Sequence, residues 1–437
     1  MQWIGETFTD AAGWTHLETL VDIGSRMAGS AGERRGAEAT RDALGGPTRD
    51  ARLDEFDVRG WTRVSSSIEA GETTQSCIAL PRSPGRTATG PLRDLEHGLP
   101  EDFEDADLAG AVVLCRSDVP DWFDREMHRR EKYARAIAAG AAAFVFTNHV
   151  PGCLPPTGSV GTADEPIGPI PAVGVSREVG ARLARRFGGE TVTVSVEADT
   201  GEATSHNVRA ELGPDTDERV LLTSHVDAHD IGEGAMDNGA GTAMVLAAAR
   251  ALAARERDPA APDLDVRVEC VAFGAEEVGL CGSERYADRV DPGDVRAVVN
   301  VDGVCRARTL AVSTHGFPEL GAAAEAVGDR FDHPVRVRPE QVPHSDHWPF
   351  VARGIPGCLV ASDTDESGRG WGHTHADTID KLDSRDLREG AVLVAALLGE
   401  VAGRPVATRD PADVAAALDA EGKAEAMRVA GDWPFPS

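Results

Sequence analysis

The feature that most constrains this chain lies after Gly201, where strongly apolar runs alternate with a helix-forming run and each apolar run ends on acids or histidines. Arg219 to Ser224 and Val266 to Phe273 are β-like, while Gly239 to Ala254 between them is alanine-rich and helical. Strand, helix, strand, helix predicts an α/β fold around a largely parallel sheet. Open sheets of that kind gather ligands at the carboxyl ends of their strands. The polar clusters stand at those ends.

Directly after the first strand comes His225-Val226-Asp227, whose imidazole and carboxylate face the same way in an extended segment. Alone, such a pair is as well read as structural. Asp237, in Gly234-Ala235-Met236-Asp237-Asn238-Gly239, sits at a glycine-rich turn into the helix, as an ordinary N-cap or as a carboxylate able to bridge two cations. Glu276 and Glu277 follow the strand Val266 to Phe273; at a strand end beside other ligands, one acid can bind metal while its neighbour serves as base. Asp302 ends the apolar run Ala297 to Val301, and Trp371-Gly372-His373-Thr374-His375 adds histidines in a polar loop. Two histidines and three acids from separate segments suit a pair of zinc ions about 3.5 to 4 Å apart, with Co2+ or Mn2+ also accommodated by such donors.

The rest of the chain divides by texture. Residues 9 to 44 look helical in two pieces, broken at Gly24-Ser25-Arg26 and Gly29-Ser30. From about 50 to 200, short β-like runs such as Ala111 to Leu114 and Ala143 to Phe146 alternate with Gly- and Pro-rich turns around a helix from about Arg125 to Ala139, and Cys153 to Pro171 reads as a surface loop. A last helix is expected with Asp410 as N-cap and Pro411 in its first turn, followed by a short tail. The expected segments are thus 1–50, N-terminal helices of the catalytic domain; 51–200, an inserted domain; 201–405, the catalytic domain; and 406–437, a helical extension.

Charge and cysteine content limit the function classes. With 44 basic and 73 acidic residues the net charge is −29, which repels phosphate backbones and anionic lipid, so neither nucleic acid nor a membrane is an expected partner. Lys132, Lys381 and Lys423 are the only lysines; arginine paired with excess carboxylate looks halophilic and predicts the salt-rich cytoplasm of a salt-accumulating cell. The first ten residues carry neither the basic leader nor the apolar core of a secretory signal, so export is not expected. Seven scattered cysteines without a CxxC pair read as small buried hydrophobes.

Taken in order, HVD, MDNGAG, AEEVGL, NVDG and HTHADT resemble the landmarks of the zinc aminopeptidase family that includes bacterial leucyl aminopeptidases and plasma glutamate carboxypeptidase. The resemblance implies a three-layer αβα catalytic domain. It also implies Asp237 as bridging ligand, His225 and Asp302 on one zinc, Glu277 and His373 on the other, Glu276 as general base, and Asp227 orienting His225. It further implies a cis peptide after Asp237, and places Asp346 and His347, in His344-Ser345-Asp346-His347, near the substrate cleft. Residues 51 to 200 are similar to the smaller, β-rich α/β protease-associated domain inserted in many of these enzymes, notably at Leu108 to Leu114 and Ala138 to Ala142. Gly372 departs from relatives that carry a tyrosine before the final ligand, so another donor or the metal alone must polarise the carbonyl. The activity implied is removal of amino-terminal residues from peptides. Carboxypeptidase or dipeptidase action, glutaminyl cyclase chemistry and a non-catalytic receptor-like module are the alternatives; side-chain preference and oligomeric state stay open.

Overall fold

The computed structural model of the protein describes residues 2–364 and 370–436. Met1 and Ser437, the outermost residues of the first and last predicted segments, lie outside the described residues.

Three parallel strands, Arg219–His225, Arg267–Phe273 and Val295–Val301, form the middle of the main sheet. Their register is nearly level: His225 pairs with Phe273, and Thr223 with Asn300. The loops after all three therefore open at one edge. Gly357–Ser362 adds a fourth parallel strand, and Leu310–Ser313 and Val335–Arg338 complete that side.

Residues alternate between two cores, as the pleat requires. Val220, Leu222, Cys270, Ala272, Ala297 and Val299 face one side, where the helices Gln2–Thr9, Ala12–Asp22, Ala240–Glu256 and Ser384–Ala402 pack. Leu221, Val271, Phe273 and Val298 face the other, against Tyr286 of the helix Cys281–Ala287 and Phe350 of the helix Trp348–Ala352. This is the three-layer αβα arrangement. The helix Ala240–Glu256 is buried around nearly its whole circumference, which its small alanines permit.

The second body is attached by a ribbon. Arg49–Ala70 and Thr191–Leu212, each 22 residues and about 70 Å long, pair antiparallel from Leu53 opposite Val208 to Ala70 opposite Val192. One end of the ribbon places Val208, Ala210 and Leu212 in the core of the main sheet; the other places Trp61, Ile68, Val192 and Val194 in the second core. Continuous strands thus run through the positions near 51 and 200 where the chain changes texture. Beyond the ribbon, Thr87–Asp94, Val112–Arg116, Ala143–Thr147 and Ala172–Val175 lie side by side, with parallel pairing between successive strands.

Local differences from the sequence expectations have identifiable causes. The amino-terminal region holds three helices, Gln2–Thr9, Ala12–Asp22 and Ala31–Leu44, because burial of Trp3 and Thr7 gives the first eight residues a core face. The helix expected from Arg125 begins at Arg129, where the His128 side chain accepts the Arg130 N–H. The carboxyl-terminal helix Pro411–Ala420 is capped by Asp410 as expected, but the residues beyond it form another helix, Ala424–Ala430, anchored to the inserted domain by Arg135–Glu425 and Arg130–Asp432 ion pairs at 2.8 Å each. Cys153 is exposed rather than buried. Among the described residues no helix is long and apolar enough to cross a membrane.

Arg26, fully buried, ties the amino-terminal helices to the edge where the loops open. It donates to the carbonyls of Leu20, Val226, Glu233 and Gly234 at 2.9–3.0 Å. Replacing it by methionine keeps volume but leaves these carbonyls without a donor. Arg26→Met is predicted to lower unfolding free energy by at least about 3 kcal/mol, read from the urea midpoint; a loss under about 1 kcal/mol would contradict this role.

Candidate metal centre

The cluster forms where the level strands end. His225 closes its strand, and its Nδ1 lies 3.1 Å from the Asp227 carbonyl oxygen, an arrangement that puts the proton on Nδ1 and leaves the Nε2 lone pair able to accept a cation. Asp227 therefore orients His225 chiefly through its main chain. Its carboxylate, 3.5 Å from the ring, instead accepts the N–H groups of Glu276 and Glu277 at 3.0 and 3.2 Å.

Asp237 is carried by a turn whose backbone is fixed on several sides. Gly234 adopts a left-handed φ of 56°, and a Cβ there would meet that of Ala228 at 2.3 Å. Asp377 accepts the N–H groups of Met236 and Asp237 at 2.7 and 3.1 Å. Asn238 donates to the Val301 carbonyl at 2.9 Å and accepts from Gly241 N at 3.0 Å. The Asp237–Asn238 peptide is cis. So held, Asp237 points Oδ1 at His225 Nε2, 3.3 Å away, and Oδ2 at His373 Nε2, 3.1 Å away.

Glu276 and Glu277 divide between the two sides. Glu277 Oε2 lies 3.1 Å from His373 Nε2, while Glu276 Oε2 and Asp302 Oδ1 lie 3.9 and 3.8 Å from His225 Nε2. Asp302 is aimed by a buried relay: Thr223 donates to Asn300, Asn300 to Ser345, and Ser345 to Asp302 Oδ2, at 2.6–2.8 Å. Glu33 of the helix Ala31–Leu44 accepts from Ser205 at 2.6 Å and from Ala275 N at 3.0 Å, steadying the residue before Glu276; burial, with the Asp227 charge, pushes it up to about 8.

The electrostatics call for cations. Burial holds Glu276 well above the ordinary carboxylate range, and Glu277, Asp346 and Asp302 push it further up. Burial works against charge on His225, yet the surrounding carboxylates raise it well above its usual value. In the absence of metal, a proton on that ring is what the acids would draw in. His225 Nε2 and Glu277 Oε1 are buried and, among the described residues, have no hydrogen-bond partner. Unsatisfied donor atoms within a ring of acids fit zinc, whose nitrogen and oxygen ligands are of these types.

The structure thus brings His225, Asp237, Glu276, Glu277, Asp302 and His373 into one cluster. His375 is not a member; its Nδ1 meets the Ile231 carbonyl at 2.7 Å. Asp346 is fully buried and pushed up to about 8 by burial, with the charges of Asp227 and Asp302 adding to it. His347 is also fully buried, against His315 Nε2 at 3.1 Å and the Val342 carbonyl at 2.9 Å. Neither side chain offers an open wall to substrate, because the helix Trp348–Ala352 draws the segment into the core. Sequence reasoning passed over Arg26, Glu33, the Thr223–Asn300–Ser345 relay and His229. For His229 a signal existed: it continues the two-residue period of His225 and Asp227. The inserted domain reaches this site directly, since Thr157 N donates to the His373 carbonyl at 2.8 Å and His128 stacks on His344 at 4.4 Å.

Residues 207–398 match the model of peptidase family M28, and residues 86–183 that of the PA domain. The chain is 28% identical over 398 residues to Aminopeptidase YwaD of Bacillus subtilis (strain 168), covering 86% of this chain and 81% of that protein. An aminopeptidase from Aneurinibacillus sp. strain AM-1 has a similar structure, with a TM-score of 0.68 and 26% identity over 92% of this chain and 95% of that one. So does BSAP, a zinc aminopeptidase from Bacillus subtilis, with a TM-score of 0.69 and 25% identity over 88% and 93%. A level-ended sheet bearing this cluster and these two sequence matches agree on one assignment: residues 207–398 are a domain of peptidase family M28 and residues 86–183 a PA domain.

Proposed function

We propose that the protein is an aminopeptidase that removes amino-terminal residues from peptides, with one zinc held by His225, Asp237 and Asp302 and a second by Asp237, Glu277 and His373. The observation that carries this reading is the Asp237 carboxylate, which turns one oxygen to each of two histidines from different loops. Bound zinc would supply Lewis acidity to the scissile carbonyl and acidify a water molecule. Glu276 takes the proton from the attacking water and returns it to the leaving amine, a role suited to a buried carboxyl that stands beside the cluster, 3.9 Å from His225 Nε2. Asp227 holds the main chain of Glu276 and Glu277 in place. The acids converging on the site favour a substrate's terminal ammonium over a terminal carboxylate. The names of the relatives point the same way.

An aminoacyl-p-nitroanilide should be hydrolysed and its N-acetylated counterpart spared; the reverse preference would overturn amino-terminal specificity. Glu276→Gln is predicted to keep two zinc ions while kcat falls about 10²- to 10⁴-fold, and near wild-type turnover would remove Glu276 as base. Asp227→Ala should weaken zinc about 10- to 100-fold in chelator competition with little change in fold. The net charge of −29 further leads us to propose adaptation to concentrated salt: Tm should climb between about 0.1 M and about 3 M KCl as self-repulsion is screened, and a flat Tm would contradict it.

A further inference from the structure

The loop after the strand Arg219–His225 carries a second imidazole, His229, in the same small cavity as Asp237, Glu277 and His373. Its ring is buried and stands edge-on to that of His373, with centroids 4.5 Å apart at 89°. Its Nε2 lies 2.9 Å from Glu277 Oε2, the same oxygen that His373 Nε2 approaches to 3.1 Å. His229 Nε2 and Glu277 Oε2 are within ion-pair reach of one another, while His229 Nδ1 and Glu277 Oε1 are buried and have no hydrogen-bond partner among the described residues. Buried polar atoms in that state destabilise the fold unless something else binds them.

Two imidazole nitrogens that converge on one buried carboxylate oxygen, with the Asp237 carboxylate beside them, have the arrangement of ligands about a cation. Donors about 2.1 Å from a tetrahedral zinc stand about 3.4 Å from one another, and the candidate ligand atoms of His229, Glu277 and His373 all lie within 4.8 Å of each other. The loop is anchored for this role. Arg63, on the ribbon, forks onto the adjacent Asp230, with Nη2 to Oδ1 at 2.7 Å and Nε to Oδ2 at 2.9 Å.

We infer that His229 is a further ligand of the zinc held by Asp237, Glu277 and His373, so that the two ions occupy unlike sites. The inference rests on the dinuclear reading above. One site then offers two imidazoles and two carboxylates, the other one imidazole and two carboxylates. The nitrogen-rich site selects zinc or cobalt over manganese more strongly than its oxygen-rich neighbour and fills first.

The test is zinc titration of the metal-stripped full chain against a chromophoric chelator, for wild type, His229→Ala and His229→Gln, together with the visible spectrum of the cobalt-loaded proteins. Glutamine can hydrogen-bond to Glu277 but is a poor zinc ligand. Wild type should bind two zinc ions stepwise. In both variants one of the two dissociation constants should rise at least about tenfold, with a change in the cobalt bands of that ion. Wild-type constants and cobalt bands in His229→Gln would overturn the inference and make His229 a positioning residue, leaving the dinuclear reading intact. Fewer than two zinc ions in wild type would bring down the dinuclear reading and this inference together.

Discussion

One carboxylate shared between two imidazoles is the interaction around which this protein is organised. Asp237 can face His225 and His373 at once only because its turn cannot relax: Asp377 holds the N–H groups, Asn238 is tied to Val301, and Arg26 grips the carbonyls of Glu233 and Gly234. The concentration of acids at this point carries an electrostatic cost that the apolar core beneath has to offset, and a buried charge without a partner is among the most destabilising features a fold can contain. Cations are the natural compensation. The cost of assembling the site and its capacity for chemistry share that one cause.

The sheet supplies the alignment. Parallel strands with level register bring His225, Glu276, Glu277 and Asp302 to a single edge although they are spread over nearly eighty positions of the chain. The amino-terminal region then acts on the site at a distance through two buried polar side chains, Arg26 on the Asp237 turn and Glu33 on Ala275. The PA domain does not hang from a linker. The β ribbon, the Thr157 contact with His373, the stacking of His128 on His344 and the helix Ala424–Ala430 bind it to the catalytic body, close beside the centre.

The catalytic strands were readable because their apolar runs are buried on both faces and bounded by polar turns, and they fall within two residues of where the pattern puts them. The acids and histidines that cluster could be picked out by their position after those runs. What could not be read depends on contacts distant in sequence. Arg26 looks like an ordinary surface cation until Gly234, 208 positions away, is seen to accept its hydrogen bond. The ribbon was invisible as a unit because Arg49–Ala70 is polar along much of its exposed length and carries register shifts near Arg49 and Arg63, which break any clean alternation. The burial of His347 follows from the turn into the helix Trp348–Ala352, which no local pattern announces.

The proposed chemistry depends on two cations sharing Asp237. Anomalous diffraction at the zinc absorption edge from crystals of the zinc-loaded protein measures this directly. It should show two peaks about 3.5 Å apart, one on each side of the Asp237 carboxylate. A single peak, or peaks that leave Asp237 outside both coordination spheres, would contradict it.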